Sequence, residues 1–329
     1  MRRREFIALF GGAAATWPLA AHSQQSAMPL VGFLADGTPE GFAPRLAAFK
    51  QGLADGGYVE GRNVVIEQRF ARRNYDLLPS LADDLVRRQV SAIVTVGSEK
   101  VARAAKAATG KIPIVTVAAG DPVKRGLVGS INHPGGNMTV VSLFTSSDNA
   151  LVAKRVEILH EAMPKAATVG WLADANILDY DTQSQDMQNA AQALGLKLVI
   201  ARVAKDSDLD AAFASLVQQG AGVMLEAGPV FYDNRQRLVA LAASAMVPML
   251  YEWRTFVAEG GLMSYGSDID AIHRQAGAYV ARVLKGENVG DLPVVQQSQI
   301  GFIVNLKAAK ALGLTLPITL LGRADEVME

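Results

Sequence analysis

Val31-Gly32-Phe33-Leu34-Ala35-Asp36 returns near the middle of the chain as Val169-Gly170-Trp171-Leu172-Ala173-Asp174. Each copy opens a similar series of apolar strand patterns and amphipathic helix patterns. After the first, helices are predicted over 45–54, 77–88 and 100–108, and strands over 63–70, 92–97 and 112–118. After the second, helices are predicted over 182–194, 209–219 and 234–245, and strands over 196–203, 222–227 and 247–253. Ile112-Pro113-Ile114 is answered by Val247-Pro248-Met249. A βαβαβαβ unit of this length is too long for a solenoid repeat and suits a domain. The expected fold is α/β, with two lobes that are each a doubly wound parallel sheet covered by helices.

With 329 residues, half of them apolar, each lobe can bury a full core. Basic and acidic residues number 32 each; the first five residues hold three Arg and one Glu, so the rest is faintly acidic. That balance argues against nucleic acid as a partner. There is no cysteine, hence no disulfide, thiolate metal site or cysteine nucleophile.

Residues 1–23 read as a cleavable export signal. Arg2-Arg3-Arg4 precede an apolar stretch from Ile7 to Leu19, and Ala21-His22-Ser23 place small residues at −3 and −1 of a cut near Ser23/Gln24. Arg3-Arg4 before Glu5-Phe6-Ile7 resembles the twin-arginine export pattern. The 13-residue apolar run falls short of the ~20 residues a membrane span needs.

Three extended segments, over 138–144, 262–266 and 293–300, are expected to pass between the lobes and form a hinge. The first lobe is then expected to comprise 29–142 and 264–290, and the second 143–263 and 291–329. In open α/β sheets, ligands lie beyond the carboxyl ends of the strands. In the first lobe those ends carry Asp36 and Thr38, Gly97 and Ser98, and Gly120 and Asp121. Gly97-Ser98 suits an anion because the turn is small, carries a hydroxyl and opens a helix with free amides; Ser98 could equally cap that helix. Asp121 could project from its loop or stabilise a turn. In the second lobe the ends carry Asp174 and Asn176 with Asp179-Tyr180, then Glu226, Gly228 and Phe231, then Tyr251, Glu252 and Trp253; Tyr265 lies on a hinge strand. Recurring acids and aromatics suit a cationic group or a flat ring. Phe231 and Trp253 could instead cover the core ends.

No catalytic constellation assembles. Beyond the signal only His133, His160 and His273 remain, without metal-ligand spacing, and no nucleophile elbow or phosphate-binding loop is present. Carboxylate pairs could in principle do acid–base work, and Glu226 with Glu252 is the pair to test. No cofactor or metal is expected.

From Val31 onward the chain resembles the ABC-transporter substrate-binding proteins of the tryptophan/tyrosine type. The resemblance rests on Ala48-Phe49-Lys50-Gln51-Gly52-Leu53, Gly57-Tyr58-Val59-Glu60-Gly61-Arg62-Asn63-Val64, Gly120-Asp121-Pro122-Val123, Pro134-Gly135-Gly136-Asn137, Gly260-Gly261-Leu262-Met263-Ser264-Tyr265-Gly266, Asn305-Leu306-Lys307-Ala308-Ala309-Lys310-Ala311-Leu312-Gly313-Leu314 and Arg323-Ala324-Asp325-Glu326-Val327. Two segments depart from the family pattern: Gln297-Ser298-Gln299-Ile300-Gly301, and Gly228, where an acid is common. The resemblance implies a type I periplasmic-binding fold and a monomeric periplasmic receptor that hands a small solute to an ABC permease. An amino-acid-like, aromatic or amine solute is expected, with Ser98 at its anionic end and Asp121, Glu226 or Glu252 at its cationic end. An exported enzyme and a ligand-binding module for a sensory receptor are the other readings.

Overall fold

In a computed structural model, residues 28–143, 148–177, 180–296 and 300–329 are described. The expected export signal, Asp179 and the Gln297-Ser298-Gln299 run lie outside them. The strands are β1 (Leu30–Ala35), β2 (Val65–Phe70), β3 (Ala92–Val96), β4 (Ile114–Ala118), β5 (Met138–Ser142), β6 (Thr168–Asp174), β7 (Lys197–Val203), β8 (Val223–Ala227), β9 (Met249–Tyr251), β10 (Met263–Ser267), β11 (Val295–Gln296), β12 (Ile300–Asn305) and β13 (Glu326–Met328).

They form two sheets, ordered β2-β1-β3-β4-β5-β11 and β7-β6-β8-β9-β10-β12-β13. The first is parallel throughout, and the second is parallel except between β10 and β12. The repeated hexapeptide occupies the same place in both, since β1 and β6 each lie between the second and third strands of their lobe. Its glycine has a packing cause. A Cβ on Gly32 would come within 2.9 Å of Leu85 Cδ1, and one on Gly170 within 2.9 Å of Ala221 Cβ, so in each lobe a neighbouring side chain lies tight against the strand. The aromatic residue that follows is buried in its core, Phe33 against Phe49 and Trp171 stacked on Tyr180. Apolar clusters cover both faces of each sheet, as the near-continuous apolar strands require.

The lobe boundaries differ from expectation. Met263–Ser267 lies wholly in the second sheet, so the chain crosses back after Ser267 and not before it. Val295–Gln296 still pairs with β5 in the first sheet, so the last crossing falls after Gln296 and not at 291. Helix Ile269–Leu284 packs on helix Pro39–Asp55 of the first lobe, with Gly52 and Gly277 at the contact; a Cβ at either would meet the other helix's backbone at 1.8–2.1 Å. Two crossings are tied together where the Ser267 hydroxyl donates to the Leu143 carbonyl at 2.6 Å.

Candidate functional site

The carboxyl ends of β3 and β4 face those of β6, β8 and β9 across a cleft with a cavity volume of about 120 Å³. The first lobe supplies Tyr75, Gly97, Ser98, Glu99, Lys100, Ala119 and Arg125; Leu143 stands at the hinge; the second lobe supplies Asp174, Asn176, Ile177, Gln183, Ala227, Gly228, Pro229, Glu252 and Trp253.

A common device shapes both walls. Asp36 is fully buried, and its Oδ2 accepts from the Ser98 backbone N–H at 2.7 Å. Asp174 is 1 % exposed, and its Oδ2 accepts from the Val230 N–H at 3.1 Å while Oδ1 accepts from Asn176 N at 2.9 Å. Each aspartate thus takes up an amide at the start of the helix that follows the third strand, satisfying a donor left open there. The glycine in each turn is required. Gly97 has φ +118° and Gly228 φ +125°, and a Cβ there would meet Asp36 Oδ1 at 2.1 Å or Asp174 Cβ at 2.3 Å. The departure at position 228 follows from this close approach, which leaves no room for a side chain.

Ser98 does not cap its helix. It occupies the position before Glu99–Ala108, yet its Oγ is buried with no hydrogen-bond partner and lines the cleft. Beside it, Arg125 pairs with Glu99 at 2.7 Å, and Lys100 Nζ lies 4.2 Å from the centre of the Tyr75 ring. Burial and the nearby Asp36 charge push the Tyr75 phenol up to about 12. This wall presents hydroxyl, amide and cationic donors.

Gly97, Ser98, Asp174, Asn176, Gly228, Glu252 and Trp253 therefore line the cavity; Asp36, Thr38, Gly120, Asp121, Glu226, Phe231, Tyr251 and Tyr265 do not. Asp36 positions the Ser98 turn from behind. Thr38 caps helix Pro39–Asp55, its Oγ1 accepting from Gly41 N at 3.1 Å. Gly120 packs on the Arg125 guanidinium. Asp121 stabilises its own turn, with Oδ1 accepting from Val123 N and Lys124 N. Phe231 is fully buried in the second-lobe core, and Tyr251 is stacked on Phe256 with ring centres 4.8 Å apart. Tyr265 packs edge-on against Phe302, and its carbonyl accepts from Arg155 Nε at 2.8 Å.

The second-lobe acids are engaged within the protein. Glu252 Oε1 accepts from Arg155 Nη1 at 2.7 Å, both side chains being less than a tenth exposed. Glu226 lies behind the cleft wall, where its Oε1 accepts from the Glu252 N–H at 2.8 Å. Burial, then the charge of Glu252, holds the Glu226 carboxyl well above the usual range. Glu226 does not line the main cleft, so the structure does not bring the expected pair of Glu226 and Glu252 together at its surface. Burial also raises Asp174. Among the described residues no cluster of His, Cys, Asp and Glu could hold a metal, and no helix is long and apolar enough to cross a membrane.

Sequence reasoning missed Arg155, Tyr75, Lys100, Arg125 and Gln183, and also missed a contact between the lobes. Arg73 Nη2 donates to Asp233 Oδ2 at 2.7 Å and to the Pro229 carbonyl at 2.9 Å, while the Arg45 guanidinium lies 3.8 Å from the Tyr232 ring centre. Both arginines come from the first lobe, and both partners from the second. Two arginines reaching across the cleft edge hold the lobes together on that side.

The profile of the family described as ABC transporter substrate binding protein matches residues 41–328. A relative, the tyrosine-binding protein of Clostridioides difficile (strain R20291), is 27% identical over 264 residues, spanning 80% of this chain and 75% of the relative. Among solved structures, a conserved domain protein from Vibrio cholerae is 25% identical with a TM-score of 0.80, and an ABC domain from Streptococcus pneumonia in complex with L-Trp is 22% identical with a TM-score of 0.79. Each alignment covers 91% of this chain and 99% of the other. Two facing parallel sheets around a solute-sized cleft, and a family match over nearly the whole described chain, give one conclusion: the chain belongs to the ABC transporter substrate binding protein family, the solute-binding component of such systems.

Proposed function

We propose that this protein binds a small amino-acid-like or aromatic solute between its lobes, outside the inner membrane, and presents it to an ABC permease. One observation carries the solute class: the buried, unpartnered Ser98 hydroxyl at the N-terminus of helix Glu99–Ala108, inside a cleft also lined by Tyr75 and Trp253. Helix amides, Ser98 and the neighbouring Arg125 suit a carboxylate, and the two aromatics suit a flat ring. Glu252 and Asp174 on the opposite wall place acceptors near any ammonium. The tyrosine-binding relative and the structure in complex with L-Trp support a solute of this kind. Contacts to both lobes at once favour the closed arrangement, because only differential contact moves such an equilibrium. The export-signal pattern of residues 1–23 supports delivery to the periplasm.

Trp253 lines the cleft, so its fluorescence provides the test. Titration with amino acids and aromatic carboxylates is expected to shift emission and raise the melting temperature for at least one of them. Ser98→Ala should weaken that solute about tenfold, as loss of one hydrogen bond to a charged group does. If no amino acid or aromatic acid moves either signal, the solute class is wrong. Recovery of chemically altered solute would point to an enzyme instead.

A further inference from the structure

Behind the cleft wall lies a second, smaller cavity of about 20 Å³, and Gln183 and Ala227 line both spaces. Most of its lining is apolar, including Val152, Met187 and Leu225, yet three of the lining residues each carry a buried side-chain atom with no hydrogen-bond partner. These atoms are Trp171 Nε1, Arg155 Nη2 and Glu226 Oε2, and their residues are 1 %, 6 % and 2 % exposed. A buried polar atom without a partner costs about 1–3 kcal/mol, so three among the residues lining one small space mark a built site.

We infer that this small cavity is a subsite for one hydroxyl group of the solute, entering past Gln183 from the cleft. The inference rests on the solute-binding reading of that cleft. Size and hydrogen-bond inventory both select a hydroxyl. The space admits one water-sized group, which needs on the order of 10–15 Å³, and is too small for the two oxygens of a carboxylate. Trp171 and Arg155 can only donate. An ammonium would meet two donors, and an apolar tip would leave all three groups unpaired. With Glu226 ionised, a hydroxyl oxygen has two lone pairs for Trp171 and Arg155 and one hydrogen for Glu226 Oε2, with its fourth direction bonded to the solute. A neutral group also adds no charge beside Glu226 and the Arg155–Glu252 pair.

Matched solutes that differ by one hydroxyl test this: tyrosine against phenylalanine, 4-hydroxyphenylacetate against phenylacetate, and 5-hydroxytryptophan against tryptophan, titrated calorimetrically into the wild-type protein. In at least one pair the hydroxylated member should bind at least about tenfold tighter, because the other leaves the buried groups unpaired. It should also move the Trp171 indole N–H resonance, assigned by its absence in Trp171→Phe, where the deoxy member does not. In Trp171→Phe the ratio of affinities between the two members of that pair should narrow. Equal affinity within every pair that binds would overturn the subsite, as would a crystal structure of the complex with a water retained between Trp171, Arg155 and Glu226. If no pair binds, the solute class proposed above falls, and the subsite is decided alone by phenol against toluene at the Trp171 indole signal: a shift with phenol only supports it, and no shift overturns it.

Discussion

The third strands of the two lobes hold equivalent positions and opposite chemistry. Leu34 of β1 pairs with Thr95, and Leu172 of β6 pairs with Glu226, so threonine and glutamate occupy the same place in the repeat. Thr95 is buried and closed upon itself, its hydroxyl donating to Thr116 Oγ1 at 2.6 Å. Glu226 is equally buried, but one oxygen is unpartnered, and its wall recruits a second acid and an arginine. The first lobe contributes donors from a helix start at the cleft surface; the second has opened its interior to polar groups behind the surface. The two lobes share a scaffold and a buried aspartate against a glycine turn, while their cleft walls carry unlike chemistry.

The largest effect expected from breaking this contrast is at Arg155. Its removal by Arg155→Ala leaves Glu252 and Glu226 buried without a counter-charge, which should cost about 3–5 kcal/mol in urea unfolding. Nothing of that size is expected from Thr95→Val in the first lobe, since Thr116 alone loses a partner; a comparable loss there would end the contrast. Next come the shared turns. Gly97→Ala and Gly228→Ala should each cost about 2–4 kcal/mol, from strained positive φ and collision with the aspartate. Similar costs would sharpen the equivalence of the two turns, and tolerance at either position would break it.

Titration separates the lobes further. The Glu226 carboxyl is held above its unfolded value, so as pH rises through that window the folded state keeps a proton the unfolded chain has lost. Stability then falls with rising pH, by at most about 1.4 kcal/mol per pH unit for one proton. Glu226→Gln should remove that slope in melts taken from pH 5 to 9, and an unchanged slope would refute the assignment. His273 acts at the other end. Burial, then Arg45, lowers it to about 3, so its contribution is intact above pH 6.5 and is lost as pH falls below that toward 3. Acid melts of His273→Asn should show a shallower acid limb. The smallest expected effect on stability is Ser98→Ala, within about 0.5 kcal/mol, because the hydroxyl caps nothing; its effect belongs to affinity.

The repeat and the strand ends were legible because both are local. A six-residue apolar strand followed by an acid, with helix patterns at fixed intervals after it, specifies a βα unit wherever it occurs. Ser98 and Gly97 could be picked out because a small turn before a helix exposes amides whatever surrounds it. Arg155 could not, since its partner Glu252 lies 97 positions away and no local pattern announces the pair. Tyr75 opens a single 3-10 turn, Tyr75–Leu77, and Arg125 comes from a loop, and neither carries a periodic signal. The lobe boundaries shifted because a short strand such as Val295–Gln296 has no pattern of its own, and which sheet it joins depends on the edge it meets.

The sequence alone determined two α/β lobes, the register of their repeat and several of the strand ends that line the cleft, because periodicity and turn chemistry act over a few residues. Only the tertiary structure decided what each acid does there. Strand alternation places a carboxylate on a face, but whether its oxygens remain open depends on amides and arginines brought from far along the chain. Ser98 reaches Asp36 from 62 positions away, and Val230 reaches Asp174 from 56. Those long-range bonds set both aspartates to holding the cleft turns, Asp36 from behind and Asp174 from within the lining, while the Ser98 hydroxyl and one Glu226 oxygen are left without a partner.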